Sequence, residues 1–508
     1  MDNLLKYILA KREMPNGFLN ASDLLDPTKI SGVERAVRRI SSAIRTRERI
    51  HICGDYDVDG MTSTILMQRG LERLGADVTY SIPKRKDGYG ISYEAIRQSE
   101  CSLLITVDVG ISESEKIDGI QKSGVDVIIV DHHSNPEQIP QAHTIVNQGN
   151  TYQTPYSAAG LAYALLRGLY DFSSASGLEA DLINDIDLAG IGTMADAVPL
   201  IGENRVLAKR AIQQMRATPR EGIDKMLGVL GINKPVNSRD IIWRIVPCLN
   251  APSRILDTVD LSIRLLTTQD YVTASITANE IDRINRARRD IVESHMASVD
   301  TNEKMPIIIG DFLPGVIGLI ASRASKGKVG AVALCDDGNG LYKASFRGNH
   351  SFEILSRAGD VYESFGGHPG AGGFSIKREN LDKWMSSVKT IAEEFTYERS
   401  DPYEFVVPAS MLTDKSVEAL AALEPFGAGN PPPVFKVDGE VKIVREFHKR
   451  NGEGCYELSV GKTHAVWWGA NGRDLPKSVV LKYDSRNGLT LDEEGSVDLE
   501  VVAEGLAI

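Results

Sequence analysis

From Ile50 onward, short uninterrupted apolar runs alternate with stretches in which apolar residues recur every three or four positions. IHICG, DVTYSI, SLLITVD and VDVIIVD are dense in Val and Ile and read as buried strands. Residues 61–74, 111–123, 157–170 and 204–216 read as helices. That alternation predicts a parallel α/β sheet, placed within residues 1–230. Residues 270–297 hold neither Gly nor Pro and predict one long helix, in a connecting region at 231–300. Ile281, Ile284, Ala287 and Ile291 share one face of it, while Arg283, Arg286 and Arg289 fall largely elsewhere. A second α/β pattern opens with PIIIG at 306. It continues through the glycine-spaced helix GVIGLIASRA and the strand AVALC, and closes with a helix near 379–396, giving a domain at 301–398. After SDP (400–402), alternating runs such as YELSVGKTHAVWW and SVVLKY follow the turn-rich EPFGAGNPPPVF. They predict an all-β module at 399–508.

Composition narrows the class. The chain has 508 residues, too many for one core, with 42% apolar and 25% charged side chains, as expected of a folded soluble chain. Its 57 basic and 69 acidic residues give a net charge of −12. That excludes a protein that holds nucleic acid by bulk positive charge, and leaves room for a local basic groove or for carboxylates neutralised by metal ions. Five scattered cysteines with no CxxC pair predict reduced thiols in the cytoplasm. The N-terminal MDNLLKYILAKRE lacks the pattern of a leader, and no run is long and apolar enough for a membrane span.

GDYDVDG (54–60) carries three aspartates at alternate positions, which repel one another unless a hard cation compensates. An EF-hand loop counted from Asp55 would need Glu at its twelfth position, where Leu66 stands, so that reading fails. Asp108 ends the strand LLITV, and Asp131 ends VDVIIV just before His132 and His133. The carboxyl ends of parallel strands share one rim, so these residues are expected to meet there, with Asp196 in reach. Carboxylates with one or two imidazoles suit Mn²⁺ or Mg²⁺ better than Zn²⁺. Two ions sharing a carboxylate would activate water and clamp a phosphate.

GDYDVDG, VDVG, DHH and GTMADAVPLIGENR, in this order, resemble the four motifs of the DHH phosphoesterase superfamily, and within it the RecJ-type single-strand-specific DNA exonucleases. The resemblance continues through LNAPSRI (249–255), GVIGLIASR (315–323), FGGHPGAGGFSI (365–376) and EPFGAGNPPPVF (424–435). It implies a parallel-sheet DHH catalytic domain, a long connecting helix, an α/β DHH-associated domain and a C-terminal OB-type β-barrel. It also implies that Asp55, Asp57, Asp108, His132 and Asp196 hold two ions, with Asp108 as bridge. His133 would act at the scissile phosphate, while Asp59 and Asp131 orient neighbours. Arg205, Arg323, Arg347, Gly366, Gly367 and His368 become candidates for holding substrate. In the β module, Trp467, Trp468, Phe447 and Tyr456 become candidates for base stacking, with Lys442, Arg445, Lys449 and Arg450 supplying charge. His51, four residues before Asp55, is expected to be an ordinary strand residue. The implied activity is stepwise release of mononucleotides from the 5′ end of single-stranded DNA, in DNA repair and recombination. The implied partners are single-stranded DNA and a single-strand-binding protein or helicase, for a monomer away from membranes. Two competing readings are a phosphodiesterase for short oligonucleotides or cyclic dinucleotides, and a non-catalytic single-strand-binding scaffold.

Overall fold

The computed structural model describes residues 1–88, 90–134, 136, 138–147, 155–173, 178–233, 235–297, 299, 303–359, 361–368, 370–397, 401–449, 452–476 and 479–491, without the side chains of Asp87, Glu179 and His368. The described chain forms two units, one of Asp23–Pro199 and Glu203–Tyr397, the other of Met1–Ser22, Leu200–Gly202 and the stretch after Tyr397.

The first unit begins with a five-stranded parallel sheet, β1 (Arg49–Cys53), β2 (Asp77–Ser81), β3 (Leu103–Val107), β4 (Asp126–Val130) and β5 (Thr144–Val146), in the order β2-β1-β3-β4-β5. β3 is buried at every position, and β1 and β4 at all but their first residue, which is why they read as continuous Val/Ile runs. β2 departs from the expectation of a buried strand. As an edge it buries no residue fully, and Tyr80 is 38% exposed. The strand order reverses between β1 and β3, and in an open α/β sheet the crevice outside that switch point is where ligands bind.

Three helices frame the rim. Val58–Arg73 starts three residues earlier than the apolar period predicts, because the Asp57 carboxylate caps it by accepting from Gly60 N (3.0 Å). Ala158–Ser173 and Ile186–Ala195 pack beside it, and the latter ends at Asp196. The long helix Tyr271–Met296 lies where its lack of Gly and Pro placed it, with Asp270 accepting from Thr273 N (2.7 Å) at its start. Before it, the five-residue π-turn Ile241–Ile245 leads into Val246–Ile255, which carries LNAPSRI.

The same unit holds a second five-stranded sheet: β6 (Ile307–Gly310), β7 (Ala331–Asp336), β8 (Leu341–Arg347), β9 (Tyr362–His368) and β10 (Ala371–Lys377), in the order β6-β7-β8-β10-β9. Phe346, Phe374 and Trp384 lie at the centre of its core. The GGHPGAGG run is a hairpin of this sheet, pairing Gly366 with Gly373 and Gly367 with Gly372.

The second unit is a seven-stranded mixed sheet of β11 (Phe405–Pro408), β12 (Val434–Asp438), β13 (Val441–His448), β14 (Gly454–Val460), β15 (Thr463–Trp467), β16 (Val480–Asp484) and β17 (Gly488–Leu491), in the order β11-β12-β16-β17-β15-β14-β13. Residues 1–22 correct the expected boundary at this point. The sequence places them with the catalytic sheet, yet Leu4, Leu5, Ile8 and Phe18 are buried among Phe405, Val407 and Phe435. Arg12 fixes that attachment through a two-pronged contact with Glu404 and a third bond to Asn430 Oδ1 (3.1 Å). Nothing in a short amphipathic helix states which distant core will bury it.

Candidate metal centre

Asp55 follows β1, Asp108 follows β3 and Asp131 follows β4, so the rim gathers them as the strand pattern requires. Ligand atoms of Asp55, Asp57 and Asp108 lie within 4.8 Å of one another, and those of Asp108, His132 and His133 form a second such group. Asp59, His132 and Asp196 form a third. Asp108 and His132 each serve two groups. His132 Nε2 is 3.2 Å from Asp108 Oδ1, and its Nδ1 is 3.5 Å from Asp196 Oδ2. Asp108 adopts φ +63°, in the left-handed region, as it turns off the strand.

The electrostatics call for cations. Asp55, Asp108 and Asp196 are at most 4% exposed. Burial first, and then the charges of neighbouring aspartates, raise all three well above the usual carboxylate range. Both oxygens of Asp55 are buried, and among the described residues no side chain donates a hydrogen bond to them, an arrangement that a protein keeps when something else fills the gap. Burial, and then the charge of His133, hold the His132 imidazole neutral, with its pKa lowered to about 3, which is the form that ligates metal. Buried hard oxygens with neutral imidazole and no thiolate fit Mn²⁺ or Mg²⁺.

His133 is tuned in the opposite direction. Burial would lower its pKa, but Asp131, 2.7 Å from Nδ1, outweighs it and raises the imidazole to about 9. Asp131 feels burial too, yet His133, with Ile111 N donating at 3.0 Å, holds it at about 2. Asp131 therefore orients His133. His51 lies apart from all three groups, fully engaged by Thr79 Oγ1 and Ser81 Oγ at 2.8 Å each.

A cationic wall belongs to the same unit. Arg347 is 3% exposed; its Nη1 donates to Ser345 Oγ and Phe346 O, while its Nε is buried with no acceptor among the described residues. Arg85, which the sequence reading missed, stacks 4.0 Å above the Tyr56 ring and donates from Nε to Ser253 Oγ (3.1 Å). Its Nη2 is also buried without an acceptor. Arg254 in LNAPSRI, also missed, is pushed well below its ordinary pKa by burial and then by Arg85, Arg288 and Arg347, with the charge of Asp57 acting the other way. Beside it opens a cavity of about 560 Å³ lined by Arg244, Arg254, Arg286, Arg288, Arg289 and Arg323. Trp243 of the π-turn also lines it and is 38% exposed.

Residues 49–192 match the DHH family, N-terminal domain, and residues 403–482 match the RecJ OB domain. The single-stranded-DNA-specific exonuclease RecJ of Thermus thermophilus is 31% identical over 97% of this chain and 75% of its own length. The chain belongs to the RecJ family. Its similarity to the RecJ of Bacillus subtilis is 34% identity over 87% of this chain, and the match spans 57% of that longer protein. Thermus thermophilus RecJ in complex with Mn²⁺ superposes with a TM-score of 0.79 at 25% identity, covering 96% of this chain and 76% of that one. A second RecJ, bound to manganese, superposes with a TM-score of 0.63 at 29% identity over 74% of this chain and 97% of its own.

Other candidates fare unevenly. Arg323 lies in the cationic cavity. Arg205 is fully buried in the helix Gly202–Ala217, the setting of a structural cation, and offers no surface to a strand. Gly366 faces open space, whereas Gly367, at φ +144°, is required because a Cβ would meet Ala371 O at 2.5 Å. The His368 side chain and Arg450 lie outside the described residues. In the β module, Trp467 and Tyr456 are core residues, while Trp468 is 36% exposed beside Phe447, with Lys449 Nζ 4.8 Å from its ring centre.

Proposed function

We propose that this chain is a divalent-metal-dependent exonuclease that releases mononucleotides from the 5′ end of single-stranded DNA. One observation carries the reading: aspartate and histidine groups sharing Asp108 and His132 lie within the electrostatic reach of Arg85, whose buried Nη2 finds no acceptor among the described residues. Asp55, Asp57, Asp108, His132 and Asp196 would hold two Mn²⁺ or Mg²⁺ ions. When bound, such ions supply Lewis acidity and make water a nucleophile near neutral pH.

The chain's own residues do the rest. Asp131 fixes His133 in the charged form through Nδ1, so its other N–H can stabilise charge on the scissile phosphate or protonate the departing oxygen. Arg347 and Arg85 present open N–H groups suited to a terminal phosphate, which sets direction by seating the 5′ end first. The arginine-lined cavity offers the next phosphates a path. Gly366 leaves room for a backbone at the hairpin, and Trp468 with Phe447 offers stacking faces on the β module. Among the described residues no helix is long and apolar enough to cross a membrane. A monomer in the cytoplasm, acting in repair or recombination beside a helicase or single-strand-binding protein, completes the proposal. The division at 1–230, 231–300, 301–398 and 399–508 is kept apart from residues 1–22, which join the last part.

The test is Mn²⁺-dependent cleavage of end-labelled strands. Mononucleotides from a 5′-phosphorylated single strand, with blunt duplex resistant, are expected. Preferential cleavage of dinucleotides would return the phosphodiesterase reading, and binding without cleavage by a folded preparation would return the scaffold.

A further inference from the structure

We propose that Asp59 is a positioning residue that sets the spacing of the two ion positions by pinning three helices together beneath them. The inference rests on the metal reading above and assigns a separate task to the third aspartate of GDYDVDG.

Asp59 is 1% exposed, in the first turn of the helix Val58–Arg73 that Asp57 caps. Its carboxylate faces a second helix head-on: Oδ2 accepts from Ala158 N (2.7 Å) and Oδ1 from Ala159 N (3.0 Å), the opening residues of Ala158–Ser173. The Ser157 hydroxyl adds a third donor and stands 3.2 Å from Thr193 Oγ1. Thr193 belongs to the third helix, Ile186–Ala195, and so does Gly192. A Cβ on Gly192 would lie 2.5 Å from Asp59 Oδ1 and 2.5 Å from Thr62 Oγ1, so that helix touches the carboxylate along bare backbone. Four residues later it ends at Asp196.

One buried carboxylate is thus the common contact of the helix that begins at Asp57 and the helix that delivers Asp196. Asp59 itself comes within 4.8 Å of the ligand atoms of His132 and Asp196, but each of its oxygens already accepts a backbone N–H. Groups that hold ligands in place typically change metal affinity by about 10–100-fold when removed. Asp59→Asn keeps the volume and turns one acceptor into a donor facing a backbone N–H.

The experiment titrates the metal-free full chain with Mn²⁺ by calorimetry, alongside circular dichroism. Asp59→Asn is expected to keep its fold and still bind two ions, one as in wild type and the other about 10–100-fold more weakly. A wild-type isotherm would overturn the proposal, and so would saturation one ion short, which would make Asp59 a ligand. If Asp59→Asn does not fold, Ser157→Ala should weaken the same ion by about 2–10-fold, and unchanged affinity there would overturn the proposal instead. A wild type that binds no Mn²⁺ would bring down the metal reading itself, and this one with it.

Discussion

Two clusters of buried aspartates occupy the same unit and are treated in opposite ways. At the rim, Asp55, Asp108 and Asp196 face one another, and burial with mutual repulsion raises their pKa values. Behind the rim, Asp185 and Asp187 are as deeply buried, but Arg220 grips both, with Nη2 2.7 Å from Asp187 Oδ1 and 3.0 Å from Asp185 Oδ1. Arg69 and Arg73 close on Asp185 at 3.3 and 2.7 Å. Burial alone would raise Asp185, yet these arginines hold it below the usual carboxylate range. The second cluster carries its counter-ions covalently, as arginine side chains; in the first, the groups that face the aspartates, His132 and Arg85 among them, do not offset burial and mutual repulsion, and the pKa values stay raised. Buried acid by itself therefore does not mark a site. The partners of the acid do.

The largest expected effect separates the two clusters directly. Asp108→Ala should lower kcat/KM on single strands by at least about a thousandfold, on the order of 4 kcal/mol, while the metal-free protein melts no lower than wild type because a repulsive charge has gone. A variant that keeps activity, or that melts far below wild type, would show that the rim is structural. Arg220→Met is expected to do the reverse. Leaving two buried carboxylates short of a partner costs about 3 kcal/mol of stability, whereas Mn²⁺ affinity in calorimetry should stay at the wild-type value. Loss of metal binding in a variant that melts normally would merge the two clusters into one functional system.

Arg347→Lys sharpens the picture at the cationic wall. Exchanging a fork for a point charge should reduce the preference for 5′-phosphate over 5′-hydroxyl ends by about tenfold, read from initial rates on the two substrates. Equal preference in both proteins would remove Arg347 from the terminal phosphate. The smallest effect concerns His51, whose pKa burial lowers to about 4 from an ordinary 6.5. The unfolded chain then binds a proton in this interval that the folded chain refuses, so this residue's contribution falls as pH drops from about 6.5 towards 4. His51→Gln should flatten that part of the melting-temperature profile, and an unchanged slope would assign it to other groups.

Asp55, Asp108 and Asp131 were legible because each follows an apolar strand, and strand ends in a parallel sheet have one place to go; Asp196 comes from a helix end instead. The EF-hand could be dismissed on spacing, whereas the contrast between Trp467 and Trp468 needed the structure, since the strand ends at Trp467. Arg85 and Arg254 were not legible: one lies in the loop after an edge strand, the other inside a proline-containing helix, and only tertiary packing turns both towards the acids. The Asp185–Asp187–Arg220 network was invisible for a similar reason, since the helices Ile186–Ala195 and Gly202–Ala217 lie between Asp185 and Arg220. Gly192 carries no chemistry of its own, so its close approach to Asp59 exists only in three dimensions.

The backbone at Asp108 has a last consequence. A residue with a Cβ at φ +63° costs on the order of 1 kcal/mol relative to one without, and here the same side chain adds crowded negative charge. On the proposed reading, heat resistance of the metal-free chain and turnover therefore pull on this codon from opposite sides: glycine there would relieve both strain and repulsion, and would cost the cation site one of its ligands.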